Sequence, residues 1–272
     1  MGHVISIANQ KGGVGKTTTA INLSASLAAA ERRCLLVDLD PQGNATTGLG
    51  VDRFGLKKGI YDLLAGAVPG EEVVTKTTLS GLYLIGATMN LVGAEVEMAS
   101  MDDKEFRLRE GLMQLRKSYD YIFLDCPPSL GFLTVNALTA ADSVLVPLQC
   151  EYYALEGLSQ LLKTVKAVKR SLNPPLRLAG ILLTMYDSRN NLARQVTEEV
   201  KDYFKGNVFD TVIPRNVRLS EAPSYGKPIL LYDIRSKGAQ SYLDLAKEVI
   251  KRGIAKDGKE KGPWKRTLSP DS

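Results

Sequence analysis

The residues NQKGGVGKTTTA, Asn9 to Ala20, follow the apolar run VISIA and place three glycines and two lysines within six positions. Gly12, Gly13 and Gly15 let backbone N–H groups turn inward around phosphate oxygens, in conformations that a side chain would obstruct. Gly15, Lys16 and Thr17 close the phosphate-loop pattern G-x-x-x-x-G-K-[ST], with Val14 between the glycines. Lys16 is expected to reach the β and γ phosphates of a nucleoside triphosphate, and the Thr17 hydroxyl to ligate Mg2+. A helix starting near Thr17 points its positive end at the same phosphates, so Gly12 to Thr18 form the expected nucleotide-binding stretch. Where the pattern asks for its first glycine, six residues before Lys16, stands Gln10, and a second lysine, Lys11, follows at once. The loop's own chemistry needs one lysine and leaves Lys11 without a role.

Carboxylates stand at two further strand ends. LLVDLDPQGN carries Asp38 and Asp40 at the end of an apolar run, before Pro41 and Gly43 turn the chain, and YIFLDCPPS carries Asp125. In an open parallel sheet the ligand lies beyond the carboxyl ends of the strands, so these acids point into the nucleotide crevice. Asp125 is the expected partner of Mg2+, directly or through water. Of Asp38 and Asp40, one is expected to support the metal while the other orients an attacking water. A single acid at such a place is commonly a cap or a turn former; three beside a phosphate loop read as one site.

The elements that must position these residues are legible as alternating patterns. VISIA (4–8), CLLVDL (34–39), LYLIGA (82–87), YIFLD (121–125), SVLVPL (143–148), LAGILLT (178–184) and VFDTVI (208–213) read as strands. They are mostly continuous in apolar character rather than alternating, as strands covered on both faces are. Residues 18–30, 104–118, 154–172 and 191–204 carry apolar positions at helical spacing. Such alternation predicts an α/β fold, a mainly parallel twisted β-sheet with helices on both faces. One domain is expected over 1–252, at the upper end of single-domain size. Residues 253–272, rich in charge, Gly and Pro and without periodicity, read as a disordered basic tail with Trp264 exposed.

Net charge, +5 overall, is unevenly spread. Residues 1–162 hold 13 Lys and Arg against 18 Asp and Glu, whereas residues 163–252 hold 17 against 9. An acidic front and a basic back point to a polyanion contacted by the C-terminal half, or to a merely solvated basic surface. Cys34, Cys126 and Cys150 sit in or beside apolar runs without paired spacing and read as reduced core thiols. No apolar run reaches the length of a transmembrane helix.

The KGGVGKT loop with its extra lysine, the DLDPQGN turn, the LDCPPSLG strand end and PRNVRLSEAPSYGKPI (214–229) together resemble the ParA/Soj family of partitioning ATPases. That family lies in the deviant Walker A group of P-loop NTPases, with MinD and the nitrogenase iron protein. The resemblance covers about residues 1–252. It implies an Mg2+-dependent ATPase in which Lys11 crosses a homodimer interface to the partner's triphosphate, as an arginine finger would. Gly12 would then stay small so that two loops can approach. By the same resemblance Asp40 orients the hydrolytic water, Asp38 lies near the metal, and Pro214 and Asn216 hold the adenine. Arg189, expected at a helix start, and Arg218 match positions that contact DNA without sequence preference. A ParB-like centromere-binding partner and a cytoplasmic, nucleoid-associated location are implied as well. The alternative within the group, a MinD-like membrane-cycling ATPase, would need a C-terminal amphipathic helix, and the polar tail offers no apolar stripe.

Overall fold

Strands that are apolar on both sides need cover on both sides, and the chain supplies it. A computed structural model describes residues 1–151 and 154–254 of the 272. Its strands are β1 (His3–Ile7), β2 (Cys34–Asp38), β3 (Val74–Lys76), β4 (Leu82–Ile85), β5 (Tyr121–Asp125), β6 (Ser143–Gln149) and β7 (Arg177–Thr184). Its α-helices are α1 (Lys16–Ala29), α2 (Asn44–Gly48), α3 (Ile60–Ala65), α4 (Ala94–Glu97), α5 (Arg107–Leu112), α6 (Phe132–Ala140), α7 (Ala154–Ser171), α8 (Asn191–Tyr203), α9 (Val217–Glu221), α10 (Ile229–Tyr232) and α11 (Lys237–Lys251). The strands form one sheet in the order β3-β4-β2-β5-β1-β6-β7. All neighbours are parallel except β3, which runs antiparallel to β4 at one edge.

Alternate residues of each strand feed two separate cores. Val4, Leu35, Val37, Ile122 and Leu124 pack under α3, α5, α6, α7 and α8 on one face. Ile5, Ile7, Leu36, Tyr121 and Phe123 pack under α1 and α11 on the other. Each fully buried Leu or Ile contributes roughly 1.5–3 kcal/mol relative to exposure, which fixes the register of every central strand. The register sets Asp125 beside Ile7 of β1 and beside Asp38 of β2, so the loop after β1 and two of the acids share one edge of the sheet.

Three expectations are corrected. Residues 208–213 are not a strand of the sheet, although Phe209 N donates to Ile181 O and Ile213 N to Leu183 O. Between those contacts the amides of Asp210 and Thr211 turn away to the Glu248 carboxylate of α11, at 2.8 and 2.9 Å, which breaks the ladder. The helix expected over 104–118 is broken into α5 with a 3-10 turn on each side, Lys104–Phe106 and Leu115–Lys117. Gly111, inside α5, packs so closely that a Cβ there would press on Leu63 of α3. Arg189 lies ahead of α8, whose first turn is capped by Asn190 through its Oδ1 and Leu192 N. The short edge strand β3 and helices α6 and α11 add to the expected elements. All three cysteines are buried and free. Gly253 and Ile254 follow α11, Ile254 packing partly on the second core; the rest of the expected tail, Trp264 included, lies outside the described residues.

One close approach ties the two ends of the chain together. Gly226 has φ +61 and lies against Gly50, such that a Cβ on Gly226 would sit 2.6 Å from Gly50 Cα. Gly226→Ala combines left-handed strain with a backbone clash and should cost about 2 kcal/mol or more. Gly206, at φ +79 with open space around it, isolates the strain alone. Urea denaturation should therefore rank Gly226→Ala as clearly more destabilising than Gly206→Ala.

Candidate functional site

The loop between β1 and α1 is anchored before any ligand is considered. Asn9, buried, accepts from Lys11 N at 3.0 Å and donates through Nδ2 to Pro147 O of β6 at 2.7 Å. Thr184, the last residue of β7, donates to Val14 O at 2.8 Å. Gly13 and Gly15 have φ of +73 and +88, conformations that a side chain would strain. Gly15 is the N-cap of α1 and offers no side chain to the helix amides, leaving that positive end to an incoming anion. Backbone geometry and an uncapped helix end thus stand where the sequence leads one to expect a phosphate cradle.

Lys16 is buried, and its Nζ donates to Lys11 O at 3.0 Å. Burial lowers its pKa, against which the charges of Asp125 and Asp40 act to raise it. Asp38 is fully buried at the end of β2 and accepts from Thr46 N at 2.8 Å, Thr46 Oγ1 at 2.7 Å and Asp40 N at 3.2 Å. Burial outweighs those three bonds and pushes its pKa up to about 6. Asp125 is equally buried, yet neither of its carboxylate oxygens has a hydrogen-bond partner. Burial and the neighbouring Asp38 raise its pKa well above the carboxylate range, while the nearby Thr17 side chain and Lys16 favour the charged form.

Asp40 heads a tight turn. Gly43 N donates to its backbone carbonyl at 2.8 Å, and Gln42 N to its Oδ1 at 2.9 Å. The second carboxylate oxygen is left for chemistry, and the side chain is nearly buried. Lys11 points elsewhere: its Nζ pairs with Glu151 Oε2 at 2.6 Å, with both side chains substantially exposed. Gly12 is exposed, and a Cβ there would meet nothing nearer than Pro128 Cβ at 3.9 Å. Within one chain nothing requires Gly12 to be small.

Pro214 bridges to Tyr186, just beyond β7, and Asn216 begins α9 without capping it. Asn216 Oδ1 is buried and unpartnered. Among the orphaned polar groups of the site, Asp125 stands where a cation was expected and Asn216 where the resemblance implies the base. A buried carboxylate with no donors, beside a threonine hydroxyl and a loop of N–H groups, is a donor set suited to a hard divalent cation with phosphate. The residues fit Mg2+ with a nucleotide.

The two arginines stand apart from this cluster. Arg189 is highly exposed and forks onto Asp187, Nε to Oδ1 at 2.9 Å and Nη2 to Oδ2 at 2.7 Å, holding that carboxyl down at about 2. Arg218 pairs with Glu221 at 2.9 Å and lies 3.6 Å from Asp233. Sequence reasoning missed the carboxylate partners of both. It also missed Thr46, Thr184, Glu151 and Arg53, none of which belongs to a motif; only the fold brings them to the site. Asn9 alone was within reach, as an Asx turn ahead of the glycines.

Comparison with known proteins agrees with this geometry. The family model of an AAA domain matches residues 2–178. The chromosome partitioning protein ParA of Myxococcus xanthus is 61% identical over 94% of this chain and 90% of its own. The sporulation initiation inhibitor protein Soj of Bacillus subtilis is 58% identical over 93% and 100%. Among solved structures, a cobyrinic acid a,c-diamide synthase of Mycobacterium smegmatis with bound ATP analogue and magnesium superposes with a TM-score of 0.82. It is 39% identical over 93% of this chain and 96% of that one.

An unpaired buried carboxylate is a liability in the ligand-free protein, and Asp125→Asn should relieve it. The variant is expected to be more stable by about 1 kcal/mol or more at neutral pH without ligand. The folded pKa of Asp125 is raised, so the folded protein keeps the proton longer than the unfolded chain does. That contribution is complete below the unfolded pKa and is lost as pH rises through the folded one. The advantage of Asn should therefore grow from about pH 4 toward neutrality. Thermal melts across that range measure it.

Proposed function

The chain belongs to the ParA/Soj family of partitioning ATPases, and from that premise we propose that it is an ATP-dependent DNA-partitioning switch. The observation that carries the nucleotide part is the orphaned Asp125 carboxylate at the edge of the backbone cradle. Gly12 to Thr18 wrap the phosphates, Lys16 reaches the β and γ oxygens, and Thr17 with Asp125 would hold Mg2+, supported by Asp38. When bound, the cation neutralises charge that builds on the phosphates during hydrolysis. Asp40 keeps one oxygen on Gln42 N and aims the other at the hydrolytic water. Pro214 packs on the adenine, and Asn216 Oδ1 accepts its amino group.

Lys11 and Gly12 supply the switch. Gly12 borders open space, so a constraint on its size comes from a second protomer. Lys11 leaves Glu151 to contact the triphosphate of the partner protomer, which makes the homodimer depend on the γ phosphate. The dimer binds nonspecific duplex DNA through Arg189 and Arg218, whose guanidinium forks exchange a carboxylate for a phosphate. A ParB-like centromere-binding partner stimulates hydrolysis and releases monomers. The protein then works in the cytoplasm, on the nucleoid.

Gly12→Val is expected to leave the monomer's melting temperature and its affinity for an ATP analogue nearly unchanged while abolishing ATP-dependent dimerisation, read by sedimentation. Loss of nucleotide binding would instead place Gly12 in the cradle alone.

Asp40→Ala protein should stay on nonspecific duplex with ATP and leave it with ADP. Each phosphate contact adds a slope of roughly 0.9 to the fall of log K with log salt, so the dimer should show about twice the slope of a monomer. Arg218→Ala and Arg189→Ala in that background should each flatten the slope. Equal binding with ATP and ADP would sink the switch, and ATP-dependent binding to liposomes without DNA binding would favour the membrane-cycling alternative.

A further inference from the structure

Among the described residues, Arg53 supplies the guanidinium that grips the turn carrying Asp40. Its Nη1 donates to Gln42 O, and its Nη2 to Pro41 O at 2.8 Å. The same plane lies flat over Gly43: a Cβ built there would be 3.0 Å from both Cζ and Nε. Three consecutive residues, Pro41 to Gly43, thus sit under a single side chain from the turn that follows α2. Among the described residues no carboxylate pairs with Arg53, and its Nε is buried without a partner. Two carbonyls and a glycine face hold it, with weaker contacts from Nη2 to Met89 Sδ at 3.2 Å and from Cζ to the Phe54 ring, 5.7 Å from its centroid.

This arrangement suits positioning better than stability. The turn already has its own closing bond, Gly43 N to Asp40 O, and an Asx bond to Asp40 Oδ1. What those two bonds leave free is the pitch of the turn as a whole, since both involve only residues 40 to 43. Arg53 ties the outer carbonyls to a point beyond α2 and so sets where the carboxylate of Asp40 stands relative to the phosphate loop. The chemistry favours arginine: two separate nitrogens of one rigid plane take the two carbonyls while that plane covers Gly43, and the compact ammonium of lysine has neither the span nor the face. A misplacement of about 1 Å in a water-orienting group costs on the order of 100-fold in rate.

We propose that Arg53 is a positioning residue for hydrolysis, acting through Asp40 and not touching the nucleotide. The inference rests on the reading of Asp40 as the group that orients water. Full-length Arg53→Ala, Arg53→Gln and Arg53→Lys are compared with the parent protein for steady-state ATP hydrolysis and for binding of a non-hydrolysable ATP analogue. The expected result is a fall in kcat of about 10-fold or more in all three, lysine included, with analogue affinity within about twofold. In the Asp40→Ala background Arg53→Lys should change nothing further, because the two act in one unit. Unchanged kcat for Arg53→Lys and Arg53→Gln overturns the proposal, as does a loss of analogue affinity that matches the loss of rate. Normal hydrolysis by Asp40→Ala removes the underlying reading instead, and is seen independently of any Arg53 variant. If alanine proves unfolded by circular dichroism, the lysine and glutamine variants decide.

Discussion

The constraint on which this structure turns is the burial of ionisable groups at one edge of the sheet. Asp38, Asp125 and Lys16 are nearly or wholly removed from water, and Asp38 stands directly beside Asp125 across β2 and β5. Bringing two carboxylates that close in a low-dielectric edge is unfavourable unless cations or donors answer them. Asp38 is answered by Thr46 and the turn; Asp125 has only the nearby Thr17 side chain and the charge of Lys16. The surrounding fold therefore has to be rigid enough to hold an unfavourable arrangement in place. Two independent apolar cores above and below the sheet, with α1 clamped between the sheet and α11, supply that rigidity.

The same constraint explains what was legible in the sequence. Glycine spacing around Lys16 and acids at the ends of apolar runs survive in sequence because each is a local requirement of backbone or strand. The central parallel strands were legible for the same reason, their residues being apolar on both faces. The segment 208–213 misled because its composition is that of a strand, while its pairing is decided by Glu248, almost forty residues on. Residues 104–118 misled because the apolar spacing of a helix runs on through the 3-10 turns that flank α5. Partners such as Thr46, Thr184 and Arg53 were invisible because nothing in their own neighbourhood marks them. Their roles are assigned by which strand or turn the fold sets beside them.

A second consequence concerns how the halves of the chain meet. The turn after β2 leads through α2 to Gly50, and Gly50 abuts Gly226 in the segment that also carries Asn216 and Arg218. Asn22 of α1 accepts from Ile229 N at 2.7 Å, and Thr19 meets Tyr242 of α11 at 3.1 Å. The PRNVRLSEAPSYGKPI stretch is thus held against α1 and against the end of α2. Its sequence character follows from close packing: Gly226 cannot carry a side chain, and Ile229 must present its amide to a buried asparagine. A segment so placed feels both the nucleotide end and the turn end of the site.

The pairing of both arginines with carboxylates bears on the proposed DNA binding. An exposed pair such as Arg189 with Asp187 is screened by water and stabilises little, so replacing its carboxylate by a DNA phosphate changes little energy per contact. A single protomer offering a few such exchanges would hold duplex weakly. Affinity then comes from the number of contacts engaged at once and from counterions released by each. Weak, individually neutral contacts are what a nucleotide switch requires. Strong unpaired cations would bind DNA in every state, whereas paired ones leave occupancy to be decided by whether two protomers are joined. The acidic neighbours of Arg189 and Arg218 are, on this reading, what makes the binding reversible.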